Sequence, residues 1–149
     1  ISEERKKEVD FSKEYISSNQ VIIVKNESNI KNINEIQNKK IAVQLGSVAD
    51  TYVTSNKVTS DVVRQKKYLS MIEDLKNEKV DLIIMDELPA KEIVKTNDNL
   101  IILDGTVFSD SYGIAIKKGN KELLDVVNNV LDELISSGEI NSYVLKYTK

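Results

Sequence analysis

The chain has 149 residues, the size of one ordinary domain, which is long enough to bury a hydrophobic core without disulfide bonds or structural metals. Lys and Arg number 21 and Asp and Glu 24, for a net charge of -3, so no basic field would attract nucleic acid or anionic lipid. His and Cys are both absent, which excludes thiol nucleophiles, His general bases, Ser-His-Asp triads and Cys/His metal sites.

The first two predicted strands are short β-branched runs, Val21–Lys25 and Ile41–Gln44. Three isoleucines between them recur at helical spacing and predict a short helix. Gly46 and Ser47 follow closely after the second run, and a helix that includes Val48 is predicted next. The second strand is therefore expected to lead directly into a helix N-terminus.

The middle of the chain predicts a helix, a strand and a second helix. Ser70–Glu73 has the Ser-x-x-Glu form of a capping box, which predicts that a helix begins there. Val80–Met85 is an almost continuous apolar run, typical of a central strand that is buried on both faces. Pro89 lies where the first turn of the next helix is expected, which places Asp86 and Glu87 at the corner between strand and helix.

The last third predicts two more strands, Leu100–Leu103 and Tyr112–Ile116, separated by a polar loop. From Asn120 an amphipathic pattern predicts a long helix that Gly138 can close, and a short final helix follows. Strand and helix alternate along the chain, so the predicted fold class is α/β, with a mostly parallel sheet flanked by helices.

Two strand-to-helix corners are candidate ligand sites, because ligands of open α/β sheets bind beyond the carboxyl ends of the strands. At Gly46, Ser47 and Val48, a hydroxyl and free amides could hold a carboxylate, although Gly-Ser pairs before helices are commonly plain turn residues. Asp86 is well placed to bind an ammonium group, and its alternative interpretation is a helix N-cap or first-turn acid.

Arg5 is a third candidate, because a guanidinium can hold a carboxylate with two parallel hydrogen bonds. The alternative interpretation is a solvated stretch of mixed charge. Gln44 and Met85 flank the two corners and either contact a ligand side chain or fill space at the strand ends. A guanidinium that can hold a carboxylate, a helix N-terminus that can bind an anion and a single acidic side chain together match the two charged ends of a zwitterionic amino acid.

Four segments carry a family resemblance and occur in the family's order: ISEERKKEVDFS with Tyr15, IAVQLGS at Ile41–Ser47, VDLIIMD at Val80–Asp86, and YGIAIKKG at Tyr112–Gly119. In them the chain resembles the extracytoplasmic amino-acid-binding proteins of ABC importers, bacterial solute-binding protein family 3, which have the periplasmic-binding-protein type II fold. The resemblance implies that Arg5, Ser47 and the Val48 amide bind the ligand α-carboxylate. It also implies that Asp86 accepts from the α-amino group.

The resemblance further implies a division into lobes. Residues 1–110 would form the second lobe with the incoming inter-lobe crossing, and residues 111–149 the returning strand and C-terminal helices of a largely absent first lobe. The apolar stripe of the long helix needs a partner surface, so we expect the chain to self-associate or to need the missing lobe; the stripe comprises Leu123, Leu124, Val127, Val130, Leu131, Leu134 and Ile135.

The expected function is to bind a small amino acid or related zwitterion and deliver it to the permease of an ABC importer, as a cell-surface lipoprotein or a periplasmic protein, without a cofactor. One alternative is the extracytoplasmic sensing domain of a membrane receptor or kinase, which uses the same module. Another is a prephenate-type dehydratase, which shares the fold but needs a positioned acid. Neither Asp86 nor Glu87 has a visible catalytic partner in the sequence, so we expect a binding protein and not an enzyme.

Overall fold

The computed structural model describes residue 1 and residues 3–147. In that part of the chain the elements are, in order, β1 (Val9–Phe11), β2 (Ile16–Lys25), β3 (Ile41–Gln44), α1 (Val48–Ser55), β4 (Val62–Gln65), α2 (Tyr68–Lys76), β5 (Leu82–Asp86), α3 (Glu87–Lys95), β6 (Leu100–Ile102), β7 (Phe108–Tyr112), β8 (Ala115–Lys117), α4 (Lys121–Ser136) and α5 (Glu139–Tyr147). Short 3₁₀ turns occupy Arg5–Lys7 and Ile33–Ile36.

The chain divides into two compact units. One consists of Asn19–Ser109, and the other of Ile1–Ser18 together with Asp110–Lys149. This division and the predicted one both have a boundary near residue 110. They differ for residues 1–18, which the structure groups with the C-terminal segment and not with the larger unit. The assignment of the units to the lobes of a larger protein stays a prediction.

The larger unit is built on a mixed sheet in the order β4-β3-β5-β2-β6, with β7 paired to β2. Strand β3 pairs in parallel with β4 and with β5, while β2 runs antiparallel to both β5 and β6. The α/β class is confirmed. The sheet is mixed rather than mostly parallel, because β2 lies between β5 and β6 and runs antiparallel to both. Strand β5, predicted to be central, lies in the middle of this order.

Helices cover both faces of this sheet, and successive strand residues point to opposite faces. On one face Ile22 and Ile84 pack in a cluster with Val53 of α1. On the other face Ile23 packs in a cluster with Met71 of α2. Burial on both faces explains why the central strands have no polar alternation in sequence.

The predicted capping box at Ser70–Glu73 is wrong. Both residues lie inside α2, which begins at Tyr68 and has Lys67 at its N-cap position without a side-chain capping bond. The buried residues of α2 follow a helical repeat along its inner face, namely Met71, Ile72 and Leu75. Packing of that face against the sheet sets the start of the helix and overrides the local Ser-x-x-Glu pattern.

The predicted strand over Tyr112–Ile116 is divided in two, because β7 ends at Tyr112 and β8 begins at Ala115. The backbone approaches its neighbours closely at Gly113, where a Cβ would lie 2.7 Å from the Ile1 Cδ1 and 3.2 Å from the Ser12 carbonyl oxygen. The Ser12 hydroxyl then accepts a hydrogen bond of 2.9 Å from the Ile114 amide. A glycine that permits close approach is a common interruption of a strand.

In the smaller unit, β1 and β8 form a two-stranded antiparallel ladder, and α4 has the predicted limits. The Asn120 side chain caps α4 by accepting from the Leu123 amide at 3.2 Å, and Gly138 follows the helix with a φ of 79°. The apolar stripe of α4 is buried unevenly, since Leu131 is 4% exposed but Leu123 and Val130 are 46% and 48% exposed.

Candidate ligand-binding site

Two strand-to-helix corners meet at one edge of the larger unit's sheet. Strands β3 and β5 are adjacent and parallel, so their carboxyl ends point the same way. Ser47 follows β3 at the start of α1, and Asp86 ends β5 at the start of α3. The structure therefore brings Gly46, Ser47, Val48 and Asp86 to the same edge, as expected from the sequence, while their role in binding stays a prediction.

The Gly46 corner is shaped by its backbone conformation. Gly46 has a φ of 72°, which residues with a Cβ rarely adopt, and a Cβ there would meet nothing within 4 Å. Glycine is thus required for the turn and not for a close approach. The predicted turn function of this residue and a ligand-binding role of the residues after it are compatible.

Ser47 is the N-cap of α1, and its hydroxyl oxygen accepts a hydrogen bond of 3.2 Å from the Asp50 amide. Since the oxygen is the acceptor in this bond, the hydroxyl hydrogen can be donated to a further group. Val48 is the first residue of the helix, so no helical carbonyl accepts from its amide. The corner can offer these two donors to an anion at the positive end of the helix dipole.

Asp50 anchors this corner and was missed by the sequence analysis. Its Oδ2 accepts from the Gly46 amide at 3.0 Å, and its Oδ1 accepts from Arg64 Nε at 2.9 Å. Arg64 Nη2 also donates to the Thr54 hydroxyl at 2.9 Å, and that hydroxyl lies 3.3 Å from Asp50 Oδ1. The Ser-x-x-Asp spacing from Ser47 could have indicated Asp50 as a capping residue, but Arg64 lies on β4, a strand that the sequence analysis did not predict.

Asp86 is half-buried and occupies the N-cap position of α3, but its side chain makes no capping hydrogen bond. The structure thus places Asp86 at the N-cap position without a side-chain capping bond, and both interpretations of this acid stay predictions. Burial raises the pKa of the Tyr68 hydroxyl, and the negative charge of Asp86 raises the pKa of Tyr68 further. Tyr68 is thus within electrostatic reach of Asp86, a neighbour that no sequence pattern indicated.

Glu87, the next residue, is held by two side chains. Its carboxylate forms an ion pair of 2.7 Å with Lys91 and accepts from Asn19 Nδ2 at 2.9 Å. The hydrogen bond from Lys91, followed by that from Asn19, lowers the pKa of Glu87. Glu87 is therefore occupied in fixing the start of α3.

The flanking candidates differ in exposure. Met85 is 3% exposed and packs in the hydrophobic cluster that also contains Met71. This packing fits the alternative that Met85 fills space at the strand end. Gln44 is half-buried, and its Nε2 donates to the Lys66 carbonyl at 3.4 Å. Gln20 pairs directly with Asp86 across β2 and β5, is 1% exposed, and has an Nε2 without a hydrogen-bond partner among the described residues.

Arg5 lies in the exposed 3₁₀ turn of the smaller unit, whereas the two corners belong to the larger unit. Its part in carboxylate binding stays a prediction. Among residues 1 and 3–147, no group of three or more Asp and Glu side chains is arranged to hold a metal ion. Within the same residues, no helix is long and apolar enough to cross a bilayer.

An α/β unit that presents a capped helix N-terminus and an acid at the same sheet edge is typical of proteins that bind small ligands. Comparison with known proteins identifies the class more closely. The profile of the bacterial extracellular solute-binding proteins, family 3, matches residues 1–149, and the chain belongs to this family.

Among curated relatives, the L-cystine-binding protein TcyJ of Escherichia coli K12 is 33% identical over 99% of the chain and 56% of its own length. The arginine-binding extracellular protein ArtP of Bacillus subtilis is 29% identical over 97% of the chain and 58% of its own length. The chain thus spans somewhat more than half the length of these relatives.

Solved structures show the same fold. The amino acid ABC transporter substrate-binding protein AbpA of Streptococcus pneumoniae, bound to L-arginine, has a TM-score of 0.89 and is 33% identical over 99% of the chain and 64% of its own. A mutant of ArgBP from T. maritima has a TM-score of 0.86 and is 36% identical over 98% of the chain and 64% of its own. These neighbours confirm the predicted fold of the periplasmic-binding-protein type II kind.

Proposed function

We propose that the full-length protein binds an amino acid outside the cytoplasm and delivers it to the permease of an ABC importer. The observation that carries the proposal is the position of the Ser47–Val48 corner and Asp86 at one edge of the sheet. An anion-binding helix end beside a carboxylate is complementary to the two charged ends of an α-amino acid. Membership of a family of solute-binding proteins supports the proposal, and the proposed function involves no chemical reaction of the ligand.

In the proposed complex, the ligand α-carboxylate accepts from the Ser47 hydroxyl and the Val48 amide at the positive end of α1. Arg5 supplies a charged donor to the same carboxylate. Asp86 accepts from the α-ammonium group. Gln44, at the end of β3, lies beside the first corner and is proposed to contact the ligand side chain.

The ligand class is supported by the names of the relatives, which include an L-cystine-binding, an arginine-binding and a glutamine-binding protein and a protein named as a probable histidine-binding protein. We propose one of these four amino acids as the ligand. Delivery to an importer implies a cell-surface or periplasmic location, since the family is described as extracellular. Closure of two lobes on the ligand would bring contacts from both sides, as in other hinged binding proteins.

Isothermal titration of the full-length protein with L-cystine, L-arginine, L-glutamine and L-histidine tests the proposal. We expect at least one of them to bind with a Kd of about 1 μM or tighter, which corresponds to about -8 kcal/mol. D-Ribose is a suitable negative ligand because it has neither a carboxylate nor an ammonium group. Absence of binding by all four amino acids, or equal binding of ribose, would contradict the proposal.

A further inference from the structure

Asp50 and Arg64 form the most extensive side-chain network next to the Gly46 corner. The Asp50 side chain is 12% exposed and forms an ion pair of 2.9 Å with Arg64, whose side chain is 38% exposed. The same carboxylate accepts the Gly46 amide at 3.0 Å. One buried acid therefore joins the turn before α1 to strand β4.

The position of Asp50 raises an electrostatic problem for the proposed ligand. Asp50 lies in the first turn of α1, the same turn whose free amide and capping hydroxyl are proposed to hold a carboxylate. An unpaired negative charge in this turn would repel a ligand carboxylate bound at the start of the helix, and the repulsion is strong where water is excluded. The guanidinium of Arg64 removes that net charge and leaves the Asp50 oxygen free to accept from Gly46.

We propose that Asp50 and Arg64 are positioning residues for the ligand's α-carboxylate, a role that rests on the function proposed above. Asp50 holds Gly46 in its left-handed conformation and so fixes the direction of the Ser47 hydroxyl and the Val48 amide. Arg64 neutralises Asp50, so that the corner attracts an anion. Neither residue needs to touch the ligand.

The test uses the full-length protein and the amino acid it binds most tightly among L-cystine, L-arginine, L-glutamine and L-histidine. Affinity for this amino acid is compared with affinity for its α-carboxamide, which lacks the negative charge. Arg64→Gln leaves Asp50 unpaired, and we expect the preference for the carboxylate to fall about tenfold. Adding Asp50→Asn to Arg64→Gln removes the repelling charge and is expected to restore most of the preference.

Lys79→Gln is the matched control. Lys79 lies 3.7 Å from Asp74, whose side chain is 13% exposed, nearly the same as that of Asp50. The substitution leaves an equally buried acid without its cation on α2, which packs on the opposite face of the sheet from α1. We expect the preference for the carboxylate over the carboxamide to be unchanged.

A purely structural role for Arg64 predicts a different result, namely that Arg64→Gln weakens both ligands equally and that Asp50→Asn gives no recovery. That result would overturn the proposal. Two single variants test the proposal should Arg64→Gln fail to fold. Arg64→Lys keeps the positive charge and Asp50→Asn removes the repelling charge, so both are expected to keep the preference for the carboxylate. A tenfold loss of that preference in either variant would overturn the proposal. An unaltered protein that binds none of the four amino acids would instead refute the proposed function itself.

Discussion

Asn19 donates a hydrogen bond of 2.9 Å from Nδ2 to the carboxylate of Glu87, the residue directly after Asp86. The Asn19 side-chain oxygen in turn accepts from the Ser109 hydroxyl at 2.9 Å, so the first and last residues of the larger unit are joined to the start of α3. Glu87 is held in place by this chain of bonds and by Lys91. Two neighbouring acids at the same corner therefore have different environments.

Asp86→Ala is expected to cost more affinity for an amino acid than Glu87→Ala in the full-length protein. Loss of one partner of a buried charged hydrogen bond to the ligand costs about 2 to 5 kcal/mol. Glu87 pairs with Lys91 and Asn19 and has no proposed ligand contact, so its loss is expected to cost at most about 1 kcal/mol of affinity. Calorimetric titration of the two variants checks this. Equal losses would contradict the role assigned to Asp86.

The lowered pKa of Glu87 makes stability depend on pH in a defined direction. Its pKa in the folded state lies below the usual value of 4.5, so its pairing with Lys91 and Asn19 stabilises the fold above that value. The stabilisation is lost as the pH falls below 4.5 and through the folded-state pKa. Glu87→Gln should remove this contribution.

The measurement is the urea midpoint of unfolding at several pH values from neutral to acidic. We expect the difference between the unaltered protein and Glu87→Gln to be largest near neutral pH and to shrink on acidification. A difference that grows as the pH falls would show that Glu87 is not stabilised in its charged form.

The buried side-chain amide of Gln20 is expected to lower the free energy of unfolding, and a substitution can measure this effect. Its amide nitrogen is buried without a partner among the described residues, and such a group typically costs about 1 to 3 kcal/mol. Gln20→Met has a similar volume and no donor, so we expect the free energy of unfolding to rise by about 1 kcal/mol.

Gln65→Met is the matched control for Gln20→Met, because Gln65 Nε2 donates to Asp74 at 2.6 Å and the substitution removes that bond. The free energy of unfolding should fall for this variant. Denaturant titration measures both. A loss of stability in Gln20→Met equal to that in Gln65→Met would show that the Gln20 amide is satisfied in solution.

Local patterns predicted much of the fold. The run Ile41–Gln44 has the predicted bounds of β3, and the Asn120 and Gly138 signals predicted both ends of α4, because these features depend on neighbouring residues alone. Strand β4 at Val62–Gln65 was missed, since an edge strand with two apolar residues gives a weak signal. The start of α2 was wrong because packing against the sheet decided it.

The candidate site was predictable only in part. Ser47 follows β3 and Asp86 ends β5, two strands whose parallel direction could be expected, so their common edge followed from topology. The ion pair between Asp50 and Arg64 joins α1 to a strand that was not predicted. Contacts of this kind depend on strand order and register, which a single sequence does not specify.

The exposed apolar side chains of α4 predict self-association of the 149-residue chain on its own. Leu123, Val126 and Val130 are 46%, 55% and 48% exposed and lie along one side of the helix. We expect light scattering to show a mass that rises with concentration and falls back to that of a monomer in Val126→Glu. A stable monomer at high concentration would contradict this expectation.

The most direct test is a crystal structure of the full-length protein with its amino acid bound. We predict that the ligand carboxylate lies within hydrogen-bonding distance of the Ser47 hydroxyl and the Val48 amide, and that its ammonium group donates to Asp86. An amino acid bound elsewhere, or bound at this edge with its carboxylate away from α1, would contradict the account.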